Sequence, residues 1–270
     1  MLAELEDPAI DESSGLVASR LSPGIYWTHN DSGNKPYLYA FDRRGKGRGV
    51  WRVEGARARD WEDIAAGPGP IAGKPYLYLG DIGDNQRGRE QIVVYRIIEP
   101  KIAPAGTLPG TSGLMSTEPA EEIRLRYPDG SHDAEALLVH PQTGVLYIVT
   151  KTAAEVAGIY KLAPPFSASG VNVLRRVGEV KVPALFGSLI TGGDISPDGK
   201  RVILCDYFGG YELILPPHAS ASFDLIWKET PQVVDLGTRQ QGEAVCYSLD
   251  GKSILATSEK RPTPLIEVSR

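Results

Sequence analysis

Four glutamates stand at matched places in short apolar segments of the chain: Glu12, Glu62, Glu135 and Glu243. A fifth matched place holds Thr191. Close by in sequence are Asp31, Asp81, Asp84, Asn85, Glu259, Lys151 and Tyr207. Carboxylates, amide oxygens and backbone carbonyls are the ligands of hard cations, and calcium takes about six to eight such oxygens. The loops Asn30–Gly33 and Asp81–Asn85 are rich in these oxygens, so Asp31, Asp81, Asp84 and Asn85 form the candidate metal set, with calcium as the expected ion. Neither loop has the spacing of an EF-hand. Paired carboxylates also serve as general acid and base, and a lysine beside a tyrosine can hold an anionic or carbonyl oxygen. The candidate ligand-binding set is therefore Glu12, Glu62, Glu135, Glu243, Lys151, Tyr207 and Glu259. No Gly-x-Ser-x-Gly turn singles out a nucleophile, so catalytic residues stay unassigned.

The histidines add little. His29 and His132 fall near the acidic segments, whereas His140 sits in a turn and His218 in a loop, as surface residues. Cys205 and Cys246 read as two small buried side chains, since no metal-type Cys/His spacing is present. Trp27, Trp51 and Trp227 read as packing residues, while Trp61, Tyr207 and Phe208 could anchor a partner. The run Arg43–Arg48 is basic and Gly-rich, and reads as a solvated turn. An arginine of the stretch Arg57–Asp60 could reach the second glutamate.

Composition limits the function classes. The net charge of −5 gives no basic field for nucleic acid. Hydrophobic residues make up 41% of the 270, enough for a large core. No run approaches the ~20 apolar residues of a membrane span. The acidic opening Met1–Asp7 lacks the apolar stretch of a signal peptide. A soluble protein is expected, extracytoplasmic if a leader has been trimmed.

What must position the acids is a repeat. Each begins with an acidic residue that opens an apolar strand, then a Gly- or Pro-containing turn, then a second strand rich in Tyr, Leu, Ile and Val. The matched places Glu12, Glu62, Glu135, Thr191 and Glu243 are 50, 73, 56 and 52 residues apart. The longest interval contains the Pro- and Gly-rich stretch Pro100 to Pro119, which reads as a surface insertion. Without it the period is that of a four-stranded propeller blade, roughly 40–50 residues with loops. Third strands are visible in all five units and fourth strands in four. The segment Leu2–Glu6 supplies the missing one, and its pairing with the last unit would leave no open edge. The expected fold is all-β, a single β-propeller of five blades with four antiparallel strands each, closed by the N-terminal strand. The blades run approximately over 11–56, 57–128, 129–184, 185–237 and 238–270 plus 1–8. Six blades is the alternative, if the insertion hides another.

Antiparallel neighbours share the end opposite their turn. The starts of the first strands and the ends of the second strands thus meet at one mouth of the central channel. That mouth collects the glutamates, Asn30, Asp31, Asp81, Asp84, Asn85, Lys151, Tyr207 and Glu259. The other end collects ordinary turns such as Pro197–Lys200 and Leu249–Lys252. Glutamates at strand starts can also cap backbone N–H groups and hold blades in register. Four carboxylates at one mouth repel each other, so a cation, Lys151 or shared protons must compensate.

Several segments carry a family resemblance: Glu12–Gly15, Trp27–Gly33, Asp60–Asp63, Gly80–Asn85, Asp133–Ala136 and Thr191–Gly199. As a set they resemble a group of bacterial β-propeller proteins, often secreted or lipid-anchored, some of them labelled phytase- or esterase-like. A more distant resemblance is to calcium-dependent propeller lactonases and phosphatases, which implies acidic calcium ligands at the channel mouth. Three functions stay open: an ion- or small-molecule-binding propeller, a calcium-dependent hydrolase of phosphoesters, lactones or glycosides, and a non-catalytic protein-interaction domain. The expected state is a monomer with its ligand at the channel mouth.

Overall fold

The computed structural model describes residues 1–102, 113–154, 156–184, 187–217 and 222–270. His218 and part of the Pro100–Pro119 stretch lie outside them.

The chain is a five-bladed β-propeller. Blade 1 consists of Ser13–Ala18, Ile25–Asn30, Tyr37–Asp42 and Gly47–Arg52. Blade 2 consists of Trp61–Pro68, Pro75–Asp81, Ile92–Ile98 and Glu121–Arg126. Blade 3 consists of Ala134–Val139, Leu146–Thr150, Ala157–Leu162 and Arg175–Val180. Blade 4 consists of Gly192–Ile195, Arg201–Cys205, Gly210–Ile214 and Gln232–Val234. Blade 5 takes Gly242–Tyr247, Ser253–Ser258 and Pro264–Ser269 from the C-terminal end and Ala3–Glu4 from the N-terminal end. The pairing Ala3 with Leu265 and Glu4 with Pro264 closes the ring as expected. Gly45 braces this closure: it has φ +78°, and a Cβ there would lie 1.9 Å from the Glu4 carbonyl oxygen. The basic turn Arg43–Arg48 is thus solvated at Arg43 and Arg44 but seated on the N-terminal strand through Gly45.

Two short strands extend blades in parallel, Met115–Ser116 beside Trp51–Arg52 and Asn172–Val173 beside Leu125–Arg126. The described end of the long insertion therefore widens blade 1 and adds no sixth blade.

Burial explains the strand compositions. The first strand of blade 3, Ala-Glu-Ala-Leu-Leu-Val, is buried at every position, because inner strands are covered on both faces. The outermost strand Arg175–Val180 is buried only at its last residue. Each of the five junctions between neighbouring blades holds one apolar cluster. Trp27 and Trp51 meet edge to face at 4.9 Å in one, and Trp227 packs in another, as expected of packing residues. Cys205 and Cys246 are free and buried. No helix among the described residues is long and apolar enough to cross a membrane.

Candidate functional site at the acidic mouth

The inner strands are not regular where the glutamates occur. The pairing with the second strand skips a residue between Trp61 and Asp63, and again between Ala134 and Ala136. A longer slip separates Gly242 from Val245, and another lies between Ser13 and Gly15. Such bulges release a residue from the ladder and re-aim its side chain. The released residues are Glu62, Glu135, Glu243 (with Ala244) and Ser14. The register therefore corrects the expected ring: Ser14, rather than Glu12, is the blade 1 counterpart of Glu62. Ser14 and Thr191 play the same part. Ser14 Oγ donates to the Glu62 carbonyl at 2.7 Å, and Thr191 Oγ1 donates to the Gly242 carbonyl at 3.1 Å, each reaching the next blade. The inner ring thus holds three glutamates, all 4–5% exposed, and two hydroxyls that tie blades together.

Glu12 stands outward of this ring. It forms an isolated bridge with Glu259, and its Oε2 accepts the Asn34 amide at 2.7 Å. Gln241 joins the rim to the ring, donating to Glu243 Oε1 at 2.9 Å and also to Glu259.

The densest group of acids is Asp31, Asp60 and Glu62, whose ligand oxygens all lie within 4.8 Å of one another. Asp31 comes from the end of the second strand of blade 1, and Asp60 and Glu62 from the start of blade 2. Gly83 makes the space between them: a Cβ there would lie 2.0 Å from Glu62 Oε1 and 2.5 Å from Asp60 Oδ2. Among the described residues no hydrogen bond to the Glu62 carboxylate accompanies this crowding.

Of the expected metal set, only Asp31 belongs to this group. Asp81 accepts the Arg89 guanidinium at 2.6 Å and the Arg59 N–H at 3.1 Å, deep in the protein. The Asp84 carboxylate accepts the N–H groups of Gly88 and Arg89. Asn85 is exposed in the same loop. Arg89 also donates to the Gly83 carbonyl at 2.7 Å, so it braces the loop that carries the glycine. The side chains of Arg57 and Arg59 are exposed, and the buried arginine beside the acids is Arg89.

Lys151 answers Glu135. Its Nζ bonds Glu135 Oε1 and stands 5.0 Å from the centroid of the Tyr207 ring. Tyr207 is half-buried and Phe208 beside it is 69% exposed. Trp61, by contrast, is fully buried, with its indole N–H on the Arg57 carbonyl and its ring on His29, so it anchors the interior and not a partner. His29 is wholly enclosed, and burial lowers its pKa. His140 is half-buried against Phe223.

Burial sets the electrostatics. Loss of solvent, reinforced by Glu135 and Asp31, pushes the Glu62 carboxyl well above its ordinary range. Burial raises Glu135 too, opposed by the Lys151 ammonium. Burial and the nearby Glu135 push Glu243 up to about 9. Burial, with Asp31 and Glu12, pushes Glu259 up to about 7. Asp31 enters as a repelling charge on Glu12, Asp60, Glu62, Glu135 and Glu259, which places it at the electrostatic centre of the mouth. Their mutual repulsion is relieved by protonation or by positive charge such as the Lys151 ammonium.

Below the ring stand two further carboxylates, Asp63 fully enclosed and Asp194 partly so. Asp63 accepts N–H groups from Ile64, Leu137 and Gly193 at 2.8, 2.9 and 3.3 Å, joining blades 2, 3 and 4. Asp194 accepts those of Ile195 and Tyr247, joining blades 4 and 5.

Asp60, Gly83, Arg89 and Gln241 were not marked by sequence spacing. The Asp-x-Glu pattern of Asp60 and Glu62 and the glycine between Asp81 and Asp84 were the available signals.

No protein-family model matches the chain, and no curated protein matches it. Among solved structures it is similar to hydrazine synthase of Kuenenia stuttgartiensis, at 14% identity over 96% of this chain and 71% of that chain, with a TM-score of 0.46. It is similar to the Dos1 propeller at 10% identity over 92% of this chain and 55% of that chain, with a TM-score of 0.41. It is similar to a chain of a nidogen–laminin complex at 15% identity, covering 91% and 71%, with a TM-score of 0.46. Likenesses this distant transfer no activity.

Proposed function

We propose that the acidic mouth binds a divalent cation of the calcium class at Asp31, Asp60 and Glu62. The observation that carries this reading is the convergence of three carboxylates around the space left by Gly83. Carboxylate oxygens are what a hard cation takes, and water completes its shell. The bound charge would offset the repulsion that Asp31 exerts on its neighbours.

Thermal unfolding in chelator and in calcium tests it. Calcium at about one hundred times its dissociation constant stabilises by about 2.7 kcal/mol. For a chain of this size that is a rise of roughly 5–10 °C in the midpoint. Asp60→Asn should remove most of the rise. An unchanged midpoint in calcium, magnesium and manganese would overturn the reading.

A hydrolytic role is the second reading. Its support is Glu243, which burial keeps protonated at neutral pH on the face that carries the ionisable trio. A proton donor on the same face as a cation is a pairing that acid-assisted hydrolysis can use. Phosphoester, lactone and glycoside substrates, assayed with Glu243→Gln alongside, would decide it. Turnover that survives the substitution unchanged removes Glu243 from the chemistry.

A further inference from the structure

Beside the acidic mouth lies a cavity of 130 Å³ with the opposite character. Lys151, Arg87, Arg176 and His132 line it. Thr150 and Thr152 line it too, and each oxygen already accepts a backbone N–H, from Gly158 at 2.8 Å and from Ala154 at 3.1 Å. A hydroxyl whose oxygen is engaged this way keeps its own hydrogen to give. The lining is therefore rich in donors.

Asp133 is the single acid in the lining, and its Oδ1 accepts the Asp84 N–H at 2.9 Å. Arg176 pairs with Glu179 at 3.2 Å, but both side chains are about half exposed. Such a surface pair is worth about 0–1 kcal/mol, so Arg176 is readily recruited. Arg87 holds a left-handed backbone, φ +51°, fixed by its N–H on the Asp84 carbonyl at 2.7 Å. Its guanidinium has no partner among the described residues. Lys151 belongs to both compartments, lining the cavity while paired with Glu135 of the ring.

We propose that this cavity binds an oxyanion, a carboxylate or phosphate group, held by Arg87, Arg176 and Lys151. The ligand class of the mouth is then an acidic molecule whose anionic group sits in the cavity while an oxygen reaches the cation. This last step rests on the cation reading; the oxyanion site does not. Guanidinium and ammonium donors suit both anions, and the choice between them is left to the two probes.

The test is calorimetric titration of inorganic phosphate and of succinate, each in chelator and in saturating calcium. Binding of at least one probe is expected in chelator, tightened by calcium. The double variant Arg87→Ala/Arg176→Ala should weaken it about tenfold or more. Both side chains are surface groups, so the variant should keep the parent's unfolding midpoint. Asp60→Asn should leave binding in chelator unchanged and abolish the tightening. Dissociation constants above about 10 mM for both probes in both conditions would overturn the proposal. So would binding that the double variant leaves intact, because the anion would then sit elsewhere. Phosphate or succinate binding with no calcium effect on midpoint or affinity would sink the cation reading and the link to it, while keeping the oxyanion cavity.

Discussion

Gly83 faces Glu62 so closely that a methyl group on its Cα would sit 2.0 Å from the glutamate Oε1. The obstructed atoms are the far ends of flexible side chains, Glu62 and Asp60, and the Gly83 backbone needs no left-handed conformation. Gly83→Ala should therefore fold almost normally, within about 1 kcal/mol of the parent. It should nonetheless push both carboxylates off the position where they meet Asp31. The expected result is a near-parental midpoint in chelator and a calcium-induced rise cut by half or more. A full calcium response would show that the ion does not sit between those oxygens.

Asp63 separates fold from site. Its side chain satisfies three backbone N–H groups on three blades at no solvent-accessible position. Asp63→Ala leaves those donors buried without an acceptor, and each such loss costs about 1–3 kcal/mol. Urea unfolding should show a loss of at least about 3 kcal/mol, with Asp63→Asn retaining part of it through its remaining oxygen. A variant as stable as the parent would mean that water replaces the carboxylate.

Stability should fall as pH rises from about 4.5 to about 9. Folding raises the carboxyl pKa of Glu243 to about 9, and of Glu259 and Asp194 to about 7. Between the ordinary carboxyl value and these raised ones the folded chain holds protons that the unfolded chain has released. Each extra proton held makes stability decline by about 1.4 kcal/mol per pH unit. Asp129 and Asp198 act in the opposite sense, because hydrogen bonds from Tyr160 and Ser196 lower them below the usual carboxylate range. Their contribution is present above that range and disappears as pH falls through it, so the maximum should lie near pH 4–5. Urea midpoints at pH 3, 5, 7 and 9 measure this. A midpoint that rises from pH 5 to 9 in chelator contradicts the raised carboxyls.

The sequence carried the blades because burial repeats along it. Inner strands such as Ala134–Val139 are apolar throughout, and turn glycines recur at the far end, with Gly144, Gly199 and Gly251 at φ +67° to +69°. The mouth was legible for the same reason, since hairpin geometry alone puts Asp31, Glu62, Glu135, Lys151 and Glu243 on one side. What spacing could not convey was which acids are already spent. Arg89 reaches back to Asp81 across a loop, and Asp84 folds onto its own loop's N–H groups, contacts that depend on loop conformation. Bulges were equally hidden. The same bulge in blades 1 and 2 matches Ser14 to Glu62, which leaves Glu12 at the place of Asp60. The two-residue strand Met115–Ser116 pairs with blade 1 from within an insertion, too short to show a period.

The Lys151–Glu135 pair offers the sharpest way to tell scaffold from ligand site. The lysine is enclosed by the glutamate and the Tyr207 ring, and the glutamate is 5% exposed. Removing one member of a buried ion pair strands the other charge and costs about 3–5 kcal/mol, whereas removing both together costs much less. Lys151→Met should thus destabilise strongly, and Lys151→Met/Glu135→Gln should recover much of the loss. The recovered part is the coupling, expected to exceed about 2 kcal/mol in a double-mutant cycle at pH 9, above the value of about 8 to which burial raises Glu135. Burial already raises the Glu135 carboxyl, so in the lysine variant it should simply stay protonated at acidic pH. The penalty of Lys151→Met should then shrink at pH 5 and grow at pH 9. A penalty independent of pH, with no recovery in the double variant, would mean that Lys151 supports the mouth through packing on Tyr207 and not through its charge.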